Sequence, residues 1–449
     1  MLKKMKRIAF FLLLLAFASC ARQPEPFGPV PTTPQLEWQR LQTYAFIHFG
    51  LNTFNDMEWG YGDTPPETFN PSDLDCEQWV LTLKACGMKG VILTAKHHDG
   101  FCLWPTETTD YSIKNSPFKN GQGDIVGELC EACRKHDLKF GLYLSPWDRH
   151  QASYGSEDYV QLYHRQIQEL TDHYGPFFEF WFDGANGGDG WYGGACETRS
   201  IKAEEYYQYD KARDILWSKY PNTMIFGGTV PTIRWIGNEE GRANTTQWCN
   251  YTDDFQDLNN TKLLVTGIPD GKYWIPAEVD VSIRSGWFYH DSEQPKSVEE
   301  LLDIYYHSVG RNASLLLNFP VDKSGRIPSA DSTVAVEWYQ TLQQTFANNL
   351  LNGLKPDVSE KEWIYTFDNP TVVSHVVLEE DVLFGQHVER FSLSYYRNGK
   401  WLPVETDEEL TTIGFKRIIR INPATMEKLR IRIIKTQAPV VFYRVSAYE

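Results

Sequence analysis

Asp183 closes the apolar run Phe178-Glu-Phe-Trp-Phe-Asp183 and is followed at once by Gly184. A carboxylate among buried apolar neighbours costs stability unless something uses it. The usual structural use, capping the next helix, is disfavoured because residues 184–194 form a Gly-rich loop. Asp183 is therefore a candidate functional residue. A second carboxylate source is Arg234-Trp-Ile-Gly-Asn-Glu-Glu-Gly241. Glu239 and Glu240 lie between a Trp and two Gly, a poor context for a solvated helix face. A carboxyl desolvated beside Trp has a raised pKa, as a general acid requires.

Histidines form the next group. Lys96-His97-His98-Asp99-Gly100 holds two adjacent imidazoles, and His48 closes Tyr-Ala-Phe-Ile-His. The segment lacks the ligand spacing of a zinc site, so no metal or other cofactor is expected. Neutral imidazole offers one donor and one acceptor, which suits hydroxyl groups. Aromatic and charged residues sit beside them in Asp56-Met-Glu58-Trp59-Gly60 and Ser145-Pro-Trp147-Asp-Arg-His150. In Glu278-Val-Asp280-Val-Ser282 a period of two places the three polar residues on one face, with Arg284 and Trp287 near its end.

These residues need elements to hold them. Apolar runs at 44–50, 90–96, 139–145, 178–183, 224–228 and 314–319 alternate with helical patterns at 74–86, 125–136, 158–174, 204–219 and 297–309. Weaker strand candidates lie between Gln247 and His290. Such alternation indicates βα units around a parallel sheet. An open doubly wound sheet and a closed barrel both fit that. Polar residues at the ends of many strands favour the barrel, and no Gly-x-Gly-x-x-Gly follows the first strand. After residue 350 the pattern changes to short alternating strands with turns such as Asn398-Gly399. The expected fold is α/β: a (β/α)₈-type, TIM-like barrel over residues 35–345, then a C-terminal antiparallel β-sandwich over 350–449.

The chain has 449 residues, 42% of them hydrophobic, which is ample for a core. Its net charge is −16 and its pI about 5.2, so a nucleic-acid backbone is not an expected partner. Aromatic residues make up 14%. Most must pack the core, but flat rings also stack on the C–H faces of sugars.

Lys3, Lys4, Lys6 and Arg7 precede an apolar run from Ile8 to Ala18, the order of a signal peptide. Ala18-Ser19-Cys20 resembles a bacterial lipobox. That resemblance implies a lipoprotein signal at 1–20, lipidation at Cys20 and membrane contact only through the anchor. The segment 21–34 reads as a Pro-rich tether. No acidic run follows Cys20, which points to the periplasm of a Gram-negative bacterium, on the outer membrane. Cys130 and Cys133 form a CxxC within a helical pattern and read as buried core thiols.

Taken together and in order, several segments resemble the α-L-fucosidases of glycoside hydrolase family 29. They are Ile-His-Phe-Gly, Glu58-Trp59, Lys-His-His-Asp-Gly-Phe, Ser-Pro-Trp-Asp, Trp-Phe-Asp-Gly, Gly-Asn-Glu-Glu-Gly and Ser-Leu-Leu-Leu-Asn-Phe-Pro. The resemblance implies a retaining double displacement with Asp183 as nucleophile. Glu239 matches the acid/base, with Glu240 the second candidate. It implies a substrate-binding set of His48, Glu58, Trp59, His97, His98, Tyr143, Trp147, Trp181 and Arg284. Arg-Trp-x-Gly-Asn-Glu looks like the subfamily acting on α-1,3/1,4-linked fucose in Lewis-type glycans. Residues 186–209 are a Gly- and Tyr-rich insertion relative to that subgroup. The expected partner is a fucosylated oligosaccharide or glycoconjugate. A broader fucosidase that also cleaves 1,2 linkages, and a non-catalytic lipoprotein that captures fucosylated glycans, are the competing expectations.

Overall fold

The computed structural model describes residues 25–252 and 261–449. The signal segment and Cys20 lie outside the described residues.

Eight parallel strands form one sheet: β1 (Thr43–Ile47), β2 (Gly90–Lys96), β3 (Lys139–Leu144), β4 (Glu179–Trp181), β5 (Met224–Phe226), β6 (Arg234–Trp235), β7 (Ala277–Ser282) and β8 (Ala313–Asn318). Their lateral order is β5-β4-β3-β2-β1-β8-β7-β6. A parallel bridge between Phe226 and Ile233 joins the two ends and closes the barrel. The expected architecture holds. Every residue of β2 is buried, because a barrel strand packs side chains both inward and against the outer helices.

The outer helices are α1 (Thr33–Leu41), α2 (Cys76–Ala85), α3 (Ile125–His136), α4 (Glu157–His173), α5 (Tyr209–Lys219), α6 (Val298–His307) and α7 (Ser329–Thr345). Their ends follow capping rules. Asp75 accepts from Gln78 N and Asp124 from Gly127 N, both at 2.9 Å. Ser297 and Glu300 form a capping box on α6. Arg134, Lys135 and His136 fill the last turn of α3, where cations complement the helix dipole. Cys130 and Cys133 are buried on that helix.

Three features depart from the sequence expectation. The helix expected over 204–219 is split into Ala203–Tyr206 and α5, with Gln208 left-handed between them. α1 and α7 were not anticipated. The segment read as a tether is docked over its described part: Phe27 N–H donates to Phe384 O at 3.0 Å, and α1 begins at Thr33.

The C-terminal domain is antiparallel. Its main strands are β9 (Glu362–Glu380), β10 (Val388–Arg397), β11 (Lys400–Pro403), β12 (Arg417–Thr436) and β13 (Phe442–Tyr448). β9 and β12 pair along most of their length, with register shifts at 366–371 and 373–375. Both halves of these long strands feed one core, from Val376 and Ile419 to Leu429 and Ile431, which makes a sandwich. The domain meets the barrel at Tyr306, Val377 and Ile418 and through the Arg311–Glu408–Arg417 ion pairs. It also bonds Asn312, at the start of β8. The opposite end of β8 carries Asn318 and leads to the candidate site, so the sandwich supports the barrel from the far end.

Candidate active site

Asp183 follows β4 at the C-terminal mouth. Phe182 N–H donates to Phe226 O at 2.9 Å, and Gly227 packs so closely that a Cβ there would overlap the Phe182 carbonyl oxygen. The backbone beneath the carboxylate is thus fixed. Tyr143 O–H donates to Asp183 Oδ2 at 2.9 Å, and Ala185 N–H donates to Oδ1 at 2.7 Å. Both bonds aim the carboxylate.

Glu239 stands on the loop after β6, at the rim. Trp287 Nε1–H donates to its Oε2 at 3.2 Å. Desolvation raises its pKa, and the charges of Asp183 and Glu58 add to that rise; the Trp287 bond opposes it. The site thus contains one carboxylate held by donors and one carboxyl biased towards its protonated form. Glu239 and Glu240 are both exposed at this rim; among the described residues only Glu239 receives the indole donor, while the backbone N–H of Glu240 bonds Asn238.

Three histidines line the space between β1 and β3, each fixed by one neighbour. Asn318 donates through Nδ2 to Trp287 O and Ser282 Oγ, so its Oδ1 accepts from His48 Nδ1 at 2.8 Å. Ser145 donates to Trp147 O at 2.6 Å, so its oxygen accepts from His98 Nδ1 at 2.7 Å. Asn52 accepts from Gly60 N and donates towards Glu58 O, so its Nδ2 faces His97 Nδ1 at 3.4 Å. The network places the proton of His48 and His98 on Nδ1 and that of His97 on Nε2. None of the three Nε2 atoms has a hydrogen-bond partner among the described residues, and none is sealed from solvent. They offer a ligand two acceptors and one donor. Burial depresses the pKa of His48 to about 3, that of His98 to about 4, and lowers that of His97. All three are neutral near pH 7. His98 Nε2 lies 3.8 Å from Asp183 Oδ2, a contact with a neutral ring and no ion pair.

Glu58 accepts from Trp287 N (2.9 Å), Phe288 N (3.1 Å) and His290 Nε2 (2.7 Å). It fastens the 285–290 loop that presents Trp287. Trp59 packs edge-on to His98 and Trp147. Trp147 lies behind His98 and bonds Tyr192 O–H through its indole. Trp181 lies flat between Phe226 and Tyr143, its N–H on Glu278 at 2.8 Å.

Arg284 requires a correction. Its guanidinium is spent on Asp331 (2.7–3.0 Å) and Glu293 O (2.6 Å), and the pair is buried. It ties the loop after β7 to α7 and is not a pocket residue. Proximity in sequence to Trp287 gave no sign of this, since α7 was not anticipated. Sequence reasoning also missed Asn318, Ser145, Asn52 and His290 as site-forming residues. Asn318 had a usable signal: it is a polar residue at the end of an apolar strand, as His48 is. Asn52, in the short helix Leu51–Asn55, and His290, in a loop, had none.

A second cleft, lined by Trp38, Cys133, Phe140, Phe178 and Met224, lies near the starts of β3 and β5 and includes none of these candidate residues.

A family model described as alpha-L-fucosidase matches residues 30–341. Alpha-L-fucosidase 1 of Arabidopsis thaliana is 39% identical, over 94% of this chain and 88% of its own. Among solved structures, a glycoside hydrolase 29 family member from an unknown rumen bacterium superposes with TM-score 0.92 at 44% identity, covering 94% of this chain and 78% of that one. A Ruminococcus gnavus GH29 fucosidase solved in complex with fucose gives TM-score 0.85 at 31% identity, covering 95% and 96%.

Proposed function

The chain belongs to the alpha-L-fucosidase family and is a glycoside hydrolase; from that premise we propose that it removes terminal α-1,3/1,4-linked L-fucose from branched, Lewis-type glycans by a retaining double displacement. The observation that carries the reading is the contrast between Asp183, held by two donors, and Glu239, at the rim against Trp287 with its pKa raised.

Glu239 protonates the departing glycosidic oxygen while Asp183 attacks the anomeric carbon. A fucosyl ester on Asp183 results. Glu239, now a carboxylate, takes a proton from water, which attacks the same carbon and frees fucose and Asp183. Tyr143 and Ala185 N hold Asp183 along one line of attack. The Nε2 atoms of His48, His97 and His98 sort the sugar hydroxyls by donor and acceptor, and Trp181 forms the floor. We further infer that residues 1–20 are a lipoprotein signal, with Cys20 lipidated and the enzyme anchored in the periplasm.

The test compares Lewis-type trisaccharides, 2'-fucosyllactose and a nitrophenyl α-L-fucoside. Cleavage of the Lewis compounds, with little action on the 1,2 linkage, is expected. Strong cleavage of 2'-fucosyllactose and the aryl fucoside with none of the Lewis substrates overturns the linkage assignment.

A further inference from the structure

Residues 57–61 run beside the pocket with an alternating exposure. Met57, Trp59 and Tyr61 are 42%, 50% and 51% exposed, while Glu58 turns in to the 285–290 loop and Gly60 is buried. Apolar side chains left in water forgo the stabilisation that burial would give. A floppy loop tip would show such exposure, but this segment is pinned at each carbonyl from Glu58 to Gly62. Asn52 Nδ2 donates to Glu58 O at 3.1 Å. Arg149 Nη1 donates to Trp59 O at 3.0 Å and Gly60 O at 2.9 Å. Trp191 N–H donates to Tyr61 O at 3.0 Å, and His150 Nδ1 bonds Gly62 O at 2.7 Å. Trp191 belongs to the 186–209 insertion, whose strands Gly188–Gly190 and Glu197–Arg199 form a hairpin. The insertion's place in the molecule is therefore to brace this ridge. Arg149 also bonds Asp189 O of the hairpin at 2.6 Å and covers one face of the Tyr61 ring at 4.2 Å, leaving the ring half exposed.

Rings held rigid and presented to water are pre-organised for a ligand, because the ordering cost is met on folding. The ridge is continuous with the catalytic pocket. Trp59 touches His98, its ring centroid 5.0 Å away, and His98 lies 3.8 Å from Asp183. Tyr61 is one step further out, across Arg149 from Trp147. Exposed Asp56 and Asp63 flank it, which disfavours an anionic ligand.

We propose that Tyr61, with Met57 and Trp59, is the platform for the leaving-group side of the substrate, taking neutral sugar units by stacking on their C–H faces. The assignment rests on the fucosidase reading above and is tested so that the two fail separately. Wild type, Tyr61→Ala and Tyr61→Trp are assayed on α-L-fucosyl fluoride, which has no leaving-group sugar, and on a neutral fucosylated trisaccharide. The ratio of kcat/KM on the trisaccharide to that on the fluoride should fall about three- to tenfold in Tyr61→Ala, the scale of one aromatic contact. Tyr61→Trp should restore it. An unchanged ratio, whether both activities hold or fall together, overturns the platform. Loss of the ratio in both variants does so too, since a flat ring would then not be what matters. Wild type inactive on both substrates would instead overturn the fucosidase reading.

Discussion

Trp287 reaches Glu239 across the pocket mouth, indole N–H to carboxylate, at 3.2 Å. The same residue is held from behind by Glu58, which accepts its main-chain N–H at 2.9 Å. The acid/base candidate on the loop after β6 is thereby positioned by the loops after β7 and β1. No single βα unit contains the arrangement.

Replacing Trp287 by Phe removes that donor and keeps an aromatic ring. The bond favours the carboxylate form of Glu239, so its loss raises the pKa further. A general acid works while protonated. The basic limb of the kcat/KM profile should therefore move to higher pH. A limb that stays in place, or moves to lower pH, shows that Glu239 does not set it.

Asp183→Asn removes the nucleophile while preserving shape. Turnover of a natural substrate should fall roughly a thousandfold or more. The melting temperature should change little, because Asp183 is partly exposed and, among the described residues, hydrogen-bonds only Tyr143 and Ala185 N. Substantial remaining activity on a natural substrate would reassign the nucleophile.

Glu239→Ala should slow substrates with poor leaving groups most, since they depend on protonation of the departing oxygen. Added azide should partly restore cleavage of an activated fucoside by replacing water as acceptor. Glu240→Ala should behave nearly as wild type. Azide rescue at Glu240→Ala instead would move the acid/base by one residue.

The buried histidines predict an acid-sensitive fold. In the unfolded chain imidazole takes its proton near pH 6.5. In the folded chain His48 does so only near pH 3 and His98 near pH 4. Between those values the unfolded state binds more protons. Stability is thus full above pH 6.5 and falls as pH drops, by about 1.4 kcal/mol per pH unit for each such imidazole. Urea unfolding at pH 7 and pH 5 measures this. His98→Gln should lose less stability over that interval than wild type, by roughly one proton's worth. Equal losses in the two proteins would show that His98 is protonated in the folded state.

The order of βα units was legible because both faces of a barrel strand are buried, which writes continuous apolar runs such as Gly-Val-Ile-Leu-Thr-Ala-Lys into the sequence. Asp183, His48, His97 and His98 were legible for a related reason: a polar group ending such a run is costly unless it is used. α7 was not anticipated, because Ser329–Thr345 carries many polar residues and only Asp331, Ala335, Trp338 and Leu342 are buried. That omission hid the partner of Arg284.

The sequence by itself determined the barrel, the strand-end carboxylate and the cluster of imidazoles, since these follow from local period and from the cost of misplaced polarity. Only the tertiary structure decided which nitrogen of each histidine carries the proton, that Trp287, held by Glu58, reaches Glu239, and that Arg284 pairs with α7. Those outcomes depend on hydrogen bonds between residues as far apart as Glu58 and Trp287, or His48 and Asn318, and such partners are chosen by barrel closure. The same closure turned an unexplained insertion beside Asp183 into the brace of an exposed aromatic ridge.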